Sequence, residues 1–388
     1  MNPSIAELQQ RIAALGDSPD VSAERVDLLV ELAGLLVNTD LGRANEINHQ
    51  IRQLSQQAGY AIGQAHGVRI DGILRYLAAD FPAALELAQR SLDQFAQLGD
   101  DSGQAKSLSL LANIRFKQGD FPGALEINLQ ALALRERLGQ RTGIGQCWNN
   151  IGICYERTGD YGKALEYYQK SLRLKEETGD LRGQANSQMN IGGIHRNHRR
   201  HQQARQAYLT SLELFQQCGD ICGQAYCQTN IGEVLQEEGQ HAAALECYQR
   251  AVEFCRQGND PQGEMIVLLN MGGIHRRMGD LPSALEYNRQ GLDIALEIND
   301  PFYQAEGQLD LGEICLAMGN AELAVENLRR GMDLAGAINA QELVVRALRD
   351  LAEAYDLAGQ RDLAQSCRER SEMMEQELTA KAPARDPG

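Results

Sequence analysis

The stretch YGKALEYYQKSLRLKEETGDLRGQANSQMNIGGIH, residues 161–195, decides the fold. Leu165, Tyr168 and Leu172 recur at helical spacing before Gly179-Asp180. A second helical run follows from Asp180. Its counterpart one unit earlier carries Ile151, Cys154 and Tyr155 on the same period. Glycine tolerates the left-handed conformation that ends a helix, and aspartate can cap the helix that follows. The stretch therefore predicts two helices joined by a tight turn.

The same pattern repeats every 40 residues from about residue 60 to 379. Ala84 recurs as Ala124, Ala164, Ala204, Ala244, Ala284, Ala324 and Ala364, and stepping back gives Ala44. One turn reads Gly119-Asp120, Gly159-Asp160 and Gly279-Asp280, with Pro82, Pro122 and Pro282 in the first turn of the helix beyond, where a missing N–H costs little. The other turn holds Gly59, Gly99, Gly139, Gly179, Gly219, Asn259, Asn299 and Asn339, the two residue types that best tolerate positive φ. A fixed period of this length predicts a solenoid whose units stack around a continuous core, so 388 residues need no split into separate domains. Gly152, Gly192, Gly232, Gly272 and Gly312 mark close helix contacts on the first helix, facing the alanine series on the second.

Composition narrows the function. The net charge is −16 and aromatics are 5%, so nucleic acid and anionic membranes are poor partners unless a local basic face exists. No run of 18 apolar residues occurs, and the start MNPSIAELQQR lacks the order of a secretory signal. Nine cysteines without a framework spacing point to reduced thiols and a cytoplasmic setting. No glycine-rich phosphate loop, HExxH, GxSxG or Cys/His pairing appears, so we expect no enzyme and no cofactor.

Ile151-Gly152, Tyr155, Ala164, Tyr168 and Ser171, with Trp148 at the leading aromatic position, resemble the tetratricopeptide repeat. The 40-residue unit is similar to the longer variant of Pins-type scaffolds and bacterial regulatory proteins. The resemblance implies an all-α, right-handed superhelical solenoid of about nine helix-turn-helix repeats over residues 21–379. Residues 1–20 are expected to form a helical lead-in and 380–388 a flexible tail. It implies a scaffold whose concave groove binds an extended peptide or a protein partner. The alternative is a regulatory or sensor module acting on an output domain, in cis or in trans; the ending TAKAPARDPG reads as a linker end, which fits truncation. Partner identity and oligomeric state stay open.

Two columns on the first helix point to the groove. Asn150, Asn190, Asn230 and Asn270 form a ladder continued by Asp310 and Asp350. The resemblance places this position on the inner face, where asparagine can pair with a ligand's backbone; an inter-repeat hydrogen bond is the other reading. Further along lie Lys117, Arg157, Arg196, Arg276 and Arg277, with Gly193 and Gly273 opening space beside them. On an acidic chain this basic stripe points to an acidic ligand segment; solvated or ion-paired arginine is the alternative.

The stretch HRNHRRH, residues 195–201, maps onto a helix-to-helix turn: Arg199 replaces the cap glycine and Arg200 the capping aspartate. His195 and His198 share a face while His201 lies across the turn, and no fourth ligand is evident for zinc. A solvated turn, a basic contact for an acidic partner, or a metal site are the readings, with metal ranked last and none assigned. The cysteines are read as small hydrophobes in packing columns, Cys218 with Leu98 and Leu138, and Cys227 with Ser107 and Cys147.

Overall fold

The computed structural model describes residues 5–15, 22–37 and 39–381. Among these residues the chain is helix and turn, with no strand. After Ile5–Ala14 and Ser22–Leu36, the first helices of successive repeats are Ala61–Leu77, Asp101–Lys117, Arg141–Arg157, Leu181–Asn197, Ile221–Glu237, Pro261–Arg277, Pro301–Ala317 and Gln341–Leu357. The second helices begin with Leu41–Gln57 and continue as Phe81–Leu98, Phe121–Arg137, Tyr161–Thr178, His201–Cys218, His241–Gly258, Leu281–Glu297, Ala321–Ala337 and Arg361–Lys381. The last helix reaches Lys381, two residues into the stretch expected as tail. Tail residues 382–388 and lead-in residues 1–4 and 16–20 lie outside the described residues.

The turns obey the repeat's chemistry. Gly119, Gly159, Gly239, Gly279, Gly319 and Gly359 have positive φ, as do Gly99, Gly179 and Gly219 in the alternate turn. Asn259, Asn299 and Asn339 take the same conformation there, at φ 49°, 54° and 58°. Asp120, Asp160, Asp180, Asp220 and Asp260 each accept a hydrogen bond from the backbone N–H three residues on. At the rewritten turn, Arg199 sits at φ 54° without glycine's freedom, and Arg200 supplies no side-chain cap.

Packing explains the small-residue columns. A Cβ on Gly152, Gly192 or Gly232 would stand 2.5–2.6 Å from the ring of Tyr168, Tyr208 or Tyr248. Those tyrosines are at most 1% exposed, so the glycines make room for the largest side chains of the core. The phenols are not left orphaned: Tyr168 donates to Glu156 at 2.6 Å and Tyr248 to Gln236 at 3.1 Å. Next to them a column of small hydroxyls lets helices approach and still satisfies a buried carbonyl. Ser171 donates to the Gly145 carbonyl and Ser211 to the Ala185 carbonyl, each at 2.8 Å.

The helices gather into two compact units divided after Gly183. The division falls inside the helix Leu181–Asn197. In the second unit one apolar cluster joins Tyr208, Phe215, Ile231, Tyr248, Val267 and Ile274 across three repeats, as nearest-neighbour stacking requires.

Candidate peptide-binding face

On the first helices Arg157 and Arg277 lie seven residues, two turns, beyond Asn150 and Asn270 and so share their helix face. Lys117 stands at the position equivalent to Arg157, while Arg196 and Arg276 lie six residues beyond Asn190 and Asn270. In the first unit this face carries Asn150, Arg157 and Lys117. Asn150 is half-buried and makes no hydrogen bond among the described residues. Lys117 and Arg157 are exposed and make no ion pair among the described residues; the Arg157 guanidinium lies 6.0 Å from the centre of the Phe116 ring.

In the second unit the same face carries Asn190, Asn230 and Asn270, all half-buried. Asn230 donates its amide to the carbonyl of Tyr226, one turn back on its own helix, at 2.8 Å. That is neither of the readings the sequence offers, and it leaves the amide oxygen as the free end. A Cβ at Gly273 would meet nothing within 4 Å, and one at Gly193 only the Tyr208 hydroxyl at 3.9 Å. Both glycines therefore open space on this face.

The arginines divide into two kinds. Arg277 is exposed. Arg196 and Arg276 are engaged by carboxylates from the next first helix. Arg196 pairs with Glu233 and lies 3.8 Å from Glu237; Arg276 lies 2.5 Å from Glu313. These side chains are 28% and 33% exposed, so the pairs are partly shielded and hold neighbouring repeats together. In the second unit Arg196 and Arg276 are held in inter-repeat ion pairs, whereas Arg277 there makes no ion pair among the described residues.

Toward the end of the second unit the face becomes acidic. Arg346 pairs with Asp310 and, at 2.5 Å, with Glu313, so the Glu313 carboxylate is held between Arg346 and Arg276. Asp350 lies 4.0 Å from Arg346, and its buried Oδ2 has no hydrogen-bond partner. Burial, then the charge of Glu313, pushes the Asp350 carboxyl up to about 7. Burial also raises Asp310 and Glu306. Arg276, Glu313, Asp350 and Glu353 line an open cleft of about 560 Å³ with Leu316, Ala317 and Leu357. The exchange of Asn for Asp at 310 and 350 was the visible signal of this change. Its counter-ion Arg346 was not recognised, because the same column holds Ile266 and Glu306.

The histidine turn has specific local partners. His198 Nδ1 bonds the Ile194 carbonyl at 2.9 Å, and His201 Nδ1 lies 3.4 Å from Glu237. Among the described residues no three His, Cys, Asp or Glu side chains are grouped to hold a metal ion. All nine cysteines are free. Burial pushes Cys154 and Cys227 up to about 11 and Cys255 to about 12, which suppresses the reactive thiolate at neutral pH. Cys218 departs from the packing reading: it is exposed, and Leu98 and Leu138 in its column are 41% and 40% exposed. No helix among the described residues is long and apolar enough to cross a membrane.

Residues 72–137, 143–217 and 223–297 match the tetratricopeptide repeat family. No curated protein sequence matches significantly. Among solved structures the chain is similar to a Rap protein complexed with Competence and Sporulation Factor, at 17% identity and a TM-score of 0.62, covering 92% of this chain and 99% of that one. It is similar to a signal-transduction ATPase with a tetratricopeptide repeat sensor from Pyrococcus horikoshii, at 14% identity and a TM-score of 0.67, covering 93% of this chain and 55% of that one. It is also similar to aspartyl phosphate phosphatase F from Bacillus subtilis, at 12% identity and a TM-score of 0.62, covering 96% and 98%. Identities this low establish a shared fold.

Proposed function

Because the chain belongs to the tetratricopeptide repeat family, we propose that it is a non-catalytic scaffold that binds an extended, acidic segment of a peptide or protein partner on the first-helix faces of its solenoid, residues 21–379. The observation that carries this reading is the set of exposed cations Lys117, Arg157 and Arg277 in the first-helix columns, which make no ion pair among the described residues, on a chain of net charge −16. Arginine pairs with carboxylates in planar, two-pronged geometry, and asparagine offers donor and acceptor to any peptide backbone. Arg196 and Arg276 join the site by exchanging Glu233 and Glu313 for the ligand's carboxylates. The Asn190, Asn230 and Asn270 amides hold the backbone between them. The setting is cytoplasmic, with neither nucleic acid nor membrane as partner.

The solved complex of a Rap protein with Competence and Sporulation Factor supports binding of a partner on such a fold. The likeness to a sensor-bearing ATPase favours a second reading, a sensor module that controls an output domain. One similar structure is named a phosphatase, so absence of turnover belongs to the proposal and is checked alongside binding. The experiment is a pulldown of partners with the parent protein and with Arg157→Glu and Arg277→Glu variants. Charge reversal should release the partner, the more so at low salt, where exposed charges are least screened. Equal capture by parent and variants at low and high salt refutes the site.

A further inference from the structure

The repeat sets aromatic rings at fixed positions, and one repeat of the first unit lacks them. Trp148 and Tyr155 on the first helix Arg141–Arg157, and Tyr167 on the second helix Tyr161–Thr178, stand at these positions. The rings of Tyr155 and Tyr167 stack with centroids 5.6 Å apart. The ammonium groups of Lys163 and Lys170 lie 5.0 Å and 4.8 Å from the centres of those two rings. Three repeats on, His275 and Tyr287 stack at the same pair of positions, 5.2 Å apart. Forty residues before Trp148, Tyr155 and Tyr167 stand Leu108, Arg115 and Ile127, and none of them supplies a ring.

The space stays open instead. A cleft of about 400 Å³ is lined by the second helices Phe81–Leu98 and Phe121–Arg137 and by the first helix Asp101–Lys117 between them in the chain. Leu108 and Leu111, 6% and 5% exposed, line it together with half-buried Leu85, Leu92 and Ile127. Arg115 lines it too. Its guanidinium lies 3.8 Å from the Asp120 carboxylate, beyond hydrogen-bond distance, and the side chain is 42% exposed. A concave, mostly apolar site of this size with one placed charge is what a small guest group needs.

We propose that this cleft is a docking site for an aromatic side chain of a protein partner, whose ring takes the place that Tyr167 holds one repeat on. Arg115 then stands where Tyr155 stacks, and its planar guanidinium packs on the guest ring. The charges are complementary, since the face of the ring is negative and the guanidinium positive. The leucines and Ile127 enclose the rest of the ring, as pockets for aromatic anchors do at protein interfaces. The 388 residues offer no loose guest of their own: residues 1–4, 16–21, 38 and 382–388, which lie outside the described ones, include no aromatic. The inference is independent of the acidic-segment reading, since it uses none of that site's residues and needs no charge on the ligand.

The test is a methyl NMR titration of the full chain with three uncharged probes: p-cresol, a capped Gly-Tyr-Gly tripeptide and a capped Gly-Leu-Gly tripeptide. The tyrosine tripeptide and p-cresol should give saturable ring-current shifts at the methyls of Leu85, Leu108 and Ile127, and the leucine tripeptide should bind at least about twofold more weakly. Arg115→Gln should weaken the tyrosine tripeptide about two- to fivefold and leave the leucine tripeptide unchanged. Ile127→Tyr, which supplies the chain's own ring, should raise the melting temperature and abolish binding. The proposal is overturned if no probe shifts these methyls, if both tripeptides bind the parent equally, or if both variants bind as the parent does. Binding of p-cresol without the tyrosine tripeptide makes the cleft a site for a free aromatic molecule and overturns the partner assignment. The same holds if the shifts appear on raising protein concentration alone, since a second copy then fills the cleft with an exposed ring such as Tyr226 or Phe302.

Discussion

Gly232→Ala and Gly272→Ala are the same substitution at equivalent places in adjacent repeats, and the packing predicts different outcomes. A Cβ at Gly232 stands 2.5 Å from Cε1 of Tyr248 and 2.8 Å from its Cδ1. The ring cannot yield easily, because Tyr248 is fully buried and its hydroxyl bonds Gln236. Overpacking of this kind costs ~1–3 kcal/mol, against a helix-propensity gain of ~1 kcal/mol for replacing glycine by alanine. At Gly272 the facing residue is Asn288 in place of tyrosine, and the nearest atoms are the Ala284 carbonyl oxygen at 3.3 Å and the Asn288 backbone nitrogen at 3.4 Å. A shift of a few tenths of an ångström relieves that contact, so the propensity gain nearly cancels the strain. Gly232→Ala should therefore be the less stable variant by ~1–2 kcal/mol. Solenoids need not unfold in one step, so the assay is native-state hydrogen exchange on the helices Ile221–Glu237 and Pro261–Arg277, supported by urea melts. If Gly272→Ala loses as much local protection as Gly232→Ala, the glycines are not there to seat the tyrosines.

The raised Asp350 carboxyl gives a pH dependence. The folded chain holds a proton at Asp350 up to about pH 7, while the unfolded chain releases it near the ordinary carboxylate value of about 4. The contribution is thus complete at low pH and is lost as pH rises through 7, so the second unit's melting temperature should fall from pH 5 to pH 8 and Asp350→Asn should flatten the profile. A profile unchanged by that substitution contradicts the assignment. Restoring the usual turn chemistry with Arg199→Gly and Arg200→Asp should stabilise the chain by ~1–2 kcal/mol, through relief of the left-handed arginine and a new helix cap. No gain in the urea midpoint means that the basic turn has structural contacts beyond those seen at His198 and His201.

What the sequence revealed follows from where periodicity lies. Turn glycines and capping aspartates act within a few residues of the backbone they control, so columns spaced 40 apart expose them. The pairing of Arg196 with Glu233 and of Arg276 with Glu313 depends on side chains 37 residues apart reaching across two helices, and only Gly193 and Gly273 hinted at the space involved. Cys218 shows a related limit: an apolar column can be a surface column when it lies in the last turn before a cap.

The central claim, an acidic ligand on a chain that is itself acidic, is tested most directly by fluorescence anisotropy with two labelled extended peptides of equal length, one rich in glutamate and one rich in lysine. The account predicts that the glutamate peptide binds, that salt weakens it, and that both Arg277→Glu and the triple variant Asn190→Ala, Asn230→Ala, Asn270→Ala reduce its affinity. The competing feature is the carboxylate-rich end of the second unit, where Glu306, Asp310, Glu313, Asp350 and Glu353 outnumber Arg276 and Arg346. Preferential binding of the lysine peptide, or binding of the glutamate peptide untouched by those substitutions, would contradict the account and move the site to that end.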